Sequence, residues 1–211
     1  MKITIRRENK KDYRAVEELT REAFWNLYTP GCDEHYLVHK MRNHPDFIEK
    51  LDYVAEYDNR IIGNIMYTKA WLLNEEQKKE IVSFGPVCVL PEYQRKGIGS
   101  QLIHHTIEIL KADKIPAVVI YGSPYNYCKF GFKNGKDYNI SDMNGNYPYA
   151  MLVLELEKNA FDNRHWKFQY SSVCNIDKNE AEKFDKNFPK KEKKVQYSQE
   201  IFSISIRSFL K

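Results

Sequence analysis

The stretch that decides the fold is Val87-Cys88-Val89-Leu90-Pro91-Glu92-Tyr93-Gln94-Arg95-Lys96-Gly97-Ile98-Gly99-Ser100. Its apolar start predicts a buried strand, and apolar residues recur at helical spacing from Ile98 to Leu110, which predicts an amphipathic helix. Between them lies a short basic turn with two glycines. Backbone N–H groups at a helix start lack intrahelical partners, and the helix dipole favours negative charge. The turn therefore predicts an anion site, to which Arg95 and Lys96 add positive charge.

The segments on either side of this turn predict a parallel crossover. Residues 116–121 are apolar without alternation, which is typical of a strand buried on both faces. Together with the preceding strand and helix they form a strand-helix-strand unit. Gly85-Pro86 interrupts the strand predicted over residues 81–90, and a proline removes a hydrogen-bond donor from the ladder. We therefore expect the sheet to be bent or parted at that point.

The remaining pattern predicts a mixed α/β (α+β) fold with a mostly antiparallel sheet and helices on both faces. Residues 3–6 alternate like a strand, Asn9 can cap a first helix, and a second helix is expected near residues 33–42. Further predicted elements are a hairpin (53–57 and 61–67), a short helix or turn (122–132), and a strand (150–156). We expect one domain over residues 1–157, followed by an extension, 158–211, with a strand (166–176), a helix (178–188) and a strand (201–206).

The charge is uneven along the chain. The 211 residues are 42% hydrophobic and 14% aromatic, as in a folded protein with one substantial core, and the formal net charge is +4. Lys and Arg balance Asp and Glu over residues 1–157, so the excess positive charge lies in the tail. The lysine run 190–194 contains Glu192 and no aromatic residue, which favours a solvated linker over a nucleic-acid contact. The apolar part of the tail should fold onto the main sheet or onto a second subunit, which leaves a homodimer open.

The cysteines and the chain start predict a reduced, cytoplasmic protein without a metal. Cys32, Cys88, Cys128 and Cys174 are scattered, with no pair at metal-ligand spacing. The first eight residues lack the apolar run of a signal peptide, and no stretch is long and apolar enough to span a membrane. His35 and His39 are spaced to share a zinc ion, but without a third ligand we expect a solvated helix face.

Two common nucleotide motifs fail at the glycine turn. A dinucleotide fingerprint requires a small residue three positions after Gly99, where Leu102 stands. A P-loop requires a lysine directly after the second glycine, and Ser100 occupies that position. Neither motif fits the turn, so the identity of its anionic ligand is open at this point.

The turn fits a different pattern, Gln/Arg-x-x-Gly-x-Gly/Ala, here Gln94 to Gly99. A second motif, Tyr-x-x-x-Gly-Phe, follows one crossover later as Tyr127 to Phe132. With these motifs and this order of elements, residues 1–157 resemble the GNAT superfamily of acetyl-CoA-dependent N-acetyltransferases, and most closely its bacterial predicted acetyltransferases.

The resemblance implies that acetyl-CoA is the co-substrate. Backbone N–H groups would bind its pyrophosphate along Gln94, Arg95, Lys96, Gly97, Ile98, Gly99 and Ser100. The strand end, Cys88, Val89 and Leu90, would pair its main chain with the pantetheine arm. In the family the motif tyrosine often protonates the leaving thiolate, and its counterpart is Tyr127. A phenol with a pKa of about 10 is protonated at neutral pH and can donate.

The general base is open at this stage. Many members of the family carry a glutamate on strand four, which here is the strand predicted over residues 81–90. This chain has Ser83 at that position, with Glu80 nearer the start of the strand. Glu34 is the substitute candidate for a base or an amine-binding group, because the second helix borders the acceptor pocket in this family. Its alternative role is helix capping together with Asp33.

The acceptor is expected to be a small-molecule or peptide amine. Deprotonating a lysine-like amine at pH 7 costs about 4.6 kcal/mol and an α-amine about 1.4 kcal/mol, so the missing strand-four glutamate favours an amine of low pKa. The competing hypothesis is a CoA-binding module without catalysis, whose basic tail recruits a protein or a nucleic acid.

Overall fold

The computed structural model describes all residues, 1–211, and its chain divides into two compact units. The first contains residues 1–67, 85–106 and 172–200, and the second contains residues 68–84, 107–171 and 201–211. Two long strands, β3 (Arg60–Leu73) and β4 (Lys78–Val89), contribute residues to both units.

The first unit contains three antiparallel strands and two helices that pack together. β1 (Thr4–Arg7) pairs with β2 (Tyr53–Tyr57), and β2 pairs with β3 across a tight turn at Asp58-Asn59, where both residues have positive φ. The helices α1 (Tyr13–Phe24) and α2 (Glu34–Met41) bury apolar residues at helical spacing, among them Val16, Leu19, Val38 and Met41.

The helix after the glycine turn, α3 (Ile98–Ala112), begins in the first unit. Ile98, Leu102 and Thr106 are buried, as their helical spacing predicts. Thr106 accepts or donates a 2.8 Å hydrogen bond with the Tyr67 hydroxyl, so the polar side chain on this apolar stripe has a partner. The stripe fixes the orientation of the helix and hence of the turn that precedes it.

The second unit is built around a fully buried tryptophan, Trp166, whose Nε1 donates to the Phe161 carbonyl at 3.0 Å. β5 (Ala117–Tyr121) pairs in parallel with β4 and antiparallel with β9 (Met151–Glu155). The other elements are α4 (Pro124–Tyr127), β6 (Lys133–Asn134), β7 (Ile140–Ser141), β8 (Tyr147–Pro148), β10 (Trp166–Gln169) and β11 (Phe209–Leu210). This mostly antiparallel pairing with a parallel β4–β5 crossover confirms the predicted fold class.

The C-terminal extension differs from the prediction at two elements. The strand predicted over residues 166–176 ends at Gln169, while the predicted helix is present as α5 (Lys178–Asp185). The strand predicted over residues 201–206 is wrong, because this segment lies inside a helix, α6 (Tyr197–Arg207). No residue of α6 is buried, so the alternation of apolar residues there does not correspond to a buried strand face.

None of the helices has both the length and the apolar composition needed to cross a membrane.

Candidate active site

The glycine turn presents main-chain donors to solvent. Arg95 and Gly97 both have positive φ (58° and 82°), and no backbone N–H from Arg95 to Gly97 donates to a protein acceptor. No atom lies within 4 Å of the position that a Cβ on Gly97 would occupy. The first N–H groups of α3 follow directly and also lack intrahelical acceptors. The turn is therefore open to an anionic ligand, as its sequence predicts.

Two side chains fasten this turn. The Gln94 side-chain amide donates to the Val89 carbonyl at 3.0 Å, and Lys96 Nζ donates to the Glu92 carbonyl at 2.8 Å. Lys96 also lies 5.1 Å from the centre of the Tyr93 ring. Both side chains therefore hold the turn in shape, in addition to the positive charge that Lys96 supplies.

The end of β4 exposes one of its two main-chain edges. The Leu90 N–H donates to the Ile62 carbonyl of β3 at 2.9 Å, so the main chain of Leu90 is already paired. Because successive residues of a strand point their main-chain groups in opposite directions, those of Val89 and Val87 are directed away from β3. Val87 was not among the predicted site residues. The alternation of main-chain direction, counted from a known pairing partner, is the signal that identifies it.

The parallel pairing of β4 with β5 is confined to Val82 and Val118. Gly85 and Pro86 follow on β4, and no β5 residue pairs with β4 beyond Val82. The interruption expected from Gly85-Pro86 is therefore present in the strand pairing.

Tyr127 lies in the second unit, at the end of α4. Its half-buried ring packs between Phe84 and Phe132, with centroid distances of 5.7 and 6.0 Å. A Cβ on Gly122 would lie 2.8 Å from Tyr127 Cδ2, so only glycine leaves room for the ring. The neighbouring Tyr125 is 86% exposed and has no comparable packing. Tyr127 is thus held by its surroundings, whereas Tyr125 is not.

Glu34 lies in the first unit, at the first residue of α2, and its side chain pairs with no lysine or arginine. Its Oε2 accepts the Asp33 N–H at 3.2 Å. Burial, and then the negative charge of Asp33, raise the pKa of the Glu34 carboxyl to about 7. Asp33 makes no side-chain capping hydrogen bond. The Asp33 side chain therefore does not cap the helix, whereas the Glu34 carboxyl lies in the first turn, where the helix dipole favours a negative charge.

Three groups close to Glu34 respond to its charge. Burial raises the pKa of Tyr28, Cys32 and Cys88, and the negative charge of Glu34 contributes to each increase. Cys88 is on β4, and Tyr28 follows α1 with its ring 5.8 Å from Phe24. Glu34 is therefore a partly buried carboxyl whose charge is felt by the Tyr28 hydroxyl and by the thiols of Cys32 and Cys88.

The other candidates for the base have different roles. Ser83, at the position of the family glutamate, is only 3% exposed, and a hydroxyl is not basic at neutral pH. Glu80 is exposed and pairs with Lys69, with 3.4 Å between Nζ and Oε2.

The histidines of α2 do not form a solvated face. His35 is fully buried, its Nε2 lies 3.1 Å from Asp185 Oδ1, and burial lowers its pKa to about 4. The expectation of a solvated residue is therefore wrong for His35. His39 is half exposed, and its Nδ1 lies 3.0 Å from Glu17 Oε1. On α3, His105 packs against the Tyr53 ring at 4.6 Å.

The lysine run of the tail is exposed and lies in no helix or strand, in agreement with the predicted solvated linker, and three of its four lysines pair with carboxylates. Lys191 pairs with Glu22 at 2.6 Å and Lys193 with Glu182 at 3.2 Å. Lys194 pairs with Glu192 at 2.9 Å. Since these lysines already face carboxylates, the structure offers no support for a basic tail that recruits a nucleic acid.

A cavity of about 570 Å³ lies in the second unit, near the loop between β3 and β4. Both signs of charge line it, and Arg164 pairs there with Glu76 at 2.9 Å. None of the predicted site residues borders this cavity, so it is separate from the candidate active site.

The mixed sheet with its strand, glycine turn and helix places the protein among the acyltransferases. Residues 17–132 match the model of the acetyltransferase (GNAT) family, which is more than half of the chain. The protein belongs to this family and is an N-acetyltransferase.

Its relatives include bacterial proteins of the same family. The chain is 31% identical over 131 residues to the uncharacterized N-acetyltransferase YjhQ of Escherichia coli K12, covering 62% of this chain and 70% of YjhQ. It is 26% identical over 161 residues to the uncharacterized N-acetyltransferase YhbS of the same strain, covering 76% of this chain and 89% of YhbS.

Two solved structures share the fold. The crystal structure of Escherichia coli YhbS in complex with CoA matches with a TM-score of 0.73 and 22% identity, over 83% of this chain and 93% of that one. A GNAT family acetyltransferase from Brucella melitensis in complex with acetyl-CoA matches with a TM-score of 0.66 and 23% identity, over 82% and 99% of the two chains.

Proposed function

We propose that the protein transfers the acetyl group of acetyl-CoA directly to a primary amine of low pKa, with Glu34 as general base and Tyr127 as general acid. The observation that carries the proposal is the Glu34 carboxyl, which is partly buried, has no cationic partner and has its pKa raised to about 7. A general base is most effective when its pKa lies near the working pH.

The glycine turn fits the diphosphate of the co-substrate. Its main-chain donors from Arg95 to Gly97 have no protein acceptors, and Gly97 leaves space beside them. These N–H groups, continuing to Ser100, would bind the pyrophosphate. The Val89 N–H, directed away from β3, would pair with the pantetheine arm, while the Val89 carbonyl accepts the Gln94 side chain. Cys88 and Leu90 would shape that edge.

Glu34 and Tyr127 account for both protons of the transfer. The amine nitrogen bonds to the thioester carbonyl carbon, and the carbon–sulfur bond breaks. The ammonium form of the acceptor first loses one proton through Glu34 to solvent. Glu34 then accepts the second proton as the neutral amine attacks, and the Tyr127 hydroxyl donates a proton to the leaving thiolate. The products are an acetamide and the free thiol of CoA, and solvent exchange restores both side chains.

The cysteine beside the site favours direct transfer over an acetyl-cysteine intermediate. Cys88 is buried, and burial raises the pKa of its thiol to about 12, so it is not a thiolate at neutral pH. A thiol nucleophile requires the thiolate form.

The pKa of Glu34 also restricts the acceptor. Moving a proton from an α-ammonium group with a pKa near 8 to a carboxylate with a pKa of about 7 costs about 1.4 kcal/mol. The same step from a lysine-like ammonium costs about 4.6 kcal/mol. The ring of Tyr28, whose hydroxyl feels the charge of Glu34, would be a suitable neighbour for the cationic amine before it loses its proton. Peptide N-termini and other amines of low pKa are therefore the proposed acceptor class.

The test begins with thiol release from acetyl-CoA in the presence of peptide N-termini, polyamines, aminoglycosides and small aromatic amines. For the best acceptor, kcat/KM of the wild type should rise with pH through about 7 and then again near the pKa of the amine. Glu34→Gln should lose the first rise and about 100-fold of the activity at pH 7.5, a typical share for a general base.

Two variants serve as controls. Asp33→Asn removes the negative charge that raises the pKa of Glu34, so the first rise should move to lower pH with the activity retained. Glu80→Gln changes the exposed carboxylate of strand four and should leave the profile as it is. A wild-type profile that survives in Glu34→Gln would show that another group is the base.

A further inference from the structure

Asn26 joins the loop after α1 to the C-terminal extension. It is 5% exposed and has a positive φ of 61°. Its Oδ1 accepts the N–H of Gly31 at 2.8 Å and the N–H of Lys194 at 3.0 Å, and its Nδ2 donates to the Glu192 carbonyl at 3.0 Å. Its own carbonyl accepts the side-chain amide of Gln199 at 3.0 Å. One buried side chain thus satisfies main-chain groups of both segments.

The C-terminal segment from Asp185 to Gln199, here called the clasp, makes further contacts with the same loop and helix. Trp25 Nε1 donates to the Glu192 carbonyl at 2.9 Å. The aliphatic stem of Lys193 lies over Gly31, where a Cβ would be 3.1 Å from its Cε. Arg21, which is 3% exposed, pairs with Asp185 at 2.6 Å. The clasp therefore contacts the loop at its start, through Trp25 and Asn26, and again at Gly31.

The loop under the clasp leads directly to Glu34. It carries Tyr28, and its last residue, Asp33, gives its N–H to Glu34 Oε2. The loop closes on itself between Asn26 and Gly31, where the Asn26 N–H donates to the Gly31 carbonyl at 2.9 Å, and the clasp covers this closed turn. The clasp supplies that cover from residues more than 150 positions away in the sequence.

We propose that the clasp is a built-in positioning element for the acceptor side of the active site and that Asn26 is the positioning residue that joins it to the loop. This inference rests on the proposed role of Glu34. It gives the extension a function within this chain, since the segment sets the surroundings of the carboxyl that receives the amine proton.

The variant Asn26→Gly tests this proposal, because glycine tolerates the positive φ and removes only the side-chain hydrogen bonds. The matched control is Asn59→Gly, an exposed asparagine of the same unit with a φ of 58°. Hydrogen exchange is followed in peptides covering residues 26–34, 186–199 and 98–112. The pKa of the Glu34 carboxyl is measured by carbon-13 NMR titration, with Glu34→Gln to assign the signal.

In Asn26→Gly we expect exchange to rise at least tenfold in residues 26–34 and 186–199 and to stay unchanged in 98–112. The pKa of Glu34 should fall from about 7 toward its ordinary value of 4.5, because water gains access to the carboxyl. The Kd for acetyl-CoA should stay within twofold of the wild type. Asn59→Gly should change none of these quantities.

Unchanged hydrogen exchange in residues 26–34 would show that the clasp does not hold the loop. Raised exchange with an unchanged pKa of Glu34 would show that the clasp does not position this carboxyl. If Asn26→Gly does not fold, Gln199→Ala removes only the outer bonds to the carbonyls of Asn26 and Lys194 and should show the same pattern at smaller size. Neither readout needs an acceptor. A failure of Glu34 as base, seen in its pH profile, is therefore distinguishable from a failure of the clasp.

Discussion

The ring of Tyr127 occupies the space that a side chain at Gly122 would need. A Cβ at residue 122 would lie 2.8 Å from Tyr127 Cδ2 and 3.4 Å from Cζ. Real Cβ atoms do not approach other heavy atoms at the first of these distances, so one of the two groups would have to move. Gly122 is therefore part of the support of the proposed general acid.

Gly122→Ala should displace the Tyr127 ring from its contacts with Phe84 and Phe132. We expect kcat to fall by at least tenfold, because the donor no longer lies where the packing holds it, while the Kd for acetyl-CoA stays within threefold. Steady-state thiol release and calorimetric titration measure the two quantities. In a Tyr127→Ala background the added methyl group meets no ring, so Gly122→Ala should then have no further effect on kcat. A further loss of kcat in that background would show that Gly122→Ala acts through a group other than the Tyr127 ring.

Tyr127→Phe keeps the ring and removes only the hydroxyl group. Its contacts with the two phenylalanines should persist, so we expect a melting temperature within about 2 °C of the wild type. The kcat should fall by between 10-fold and 1,000-fold if the phenol donates the proton to the thiolate. Thiol release at saturating acetyl-CoA measures this loss. An unchanged kcat would reduce Tyr127 to a packing residue.

Local sequence predicts the site residues whose roles depend on the conformation of the neighbouring main chain. The turn around Gly97 follows from its glycines and from the helix start, and Tyr127 follows from a motif of six residues. Glu34 was identified from its place on α2, but its raised pKa depends on burial, which the sequence does not display.

The contacts of the extension could not be predicted in this way. Arg21 and Asp185 lie 164 positions apart, and no periodic pattern relates them. The alternation from Ile201 to Ile206 predicted a strand because alternation normally marks one buried face. Ile201, Ile204 and Ile206 are all substantially exposed, so the pattern had no buried face to report, and the segment is helical.

Gly97→Ala separates ligand binding from backbone strain. Gly97 and Gly145 both have positive φ (82° and 85°), and a Cβ at either position would meet no atom within 4 Å. Each alanine should therefore cost a similar 1 to 2 kcal/mol of stability, roughly, for the left-handed conformation. Only the methyl group at residue 97 would stand beside the donors proposed for the pyrophosphate. We expect a Kd for acetyl-CoA at least tenfold higher in Gly97→Ala and unchanged in Gly145→Ala. An equal change of Kd in the two variants would show that the glycine turn does not bind acetyl-CoA.

A second carboxyl with a raised pKa, Asp52, lies in the first unit and affects stability. Arg42 binds Glu8 with two hydrogen bonds of 2.7 and 3.1 Å, and Glu8 lies beside Asp52. Burial, and then the hydrogen bond with Glu8, raise the pKa of Asp52 from 3.8 to about 9. Asn64 Nδ2 donates to Asp52 Oδ1 at 3.0 Å. The native protein therefore keeps a proton on Asp52 at neutral pH.

Asp52→Asn should make the protein more stable at neutral and alkaline pH. Between the two pKa values the unfolded chain has released this proton and the native state has kept it, so wild-type stability falls with rising pH, by about 1.4 kcal/mol per unit at most. The asparagine keeps an Oδ1 for Asn64 and offers an N–H to Glu8, with no proton to lose. Urea unfolding at pH 4.5, 6.5 and 8.5 should give similar free energies for both proteins at the lowest pH and a growing advantage for the variant above it. Asp58→Asn, in the exposed turn between β2 and β3, should follow the wild-type curve, and parallel curves for Asp52→Asn and the wild type would show that Asp52 is ionised in the native state.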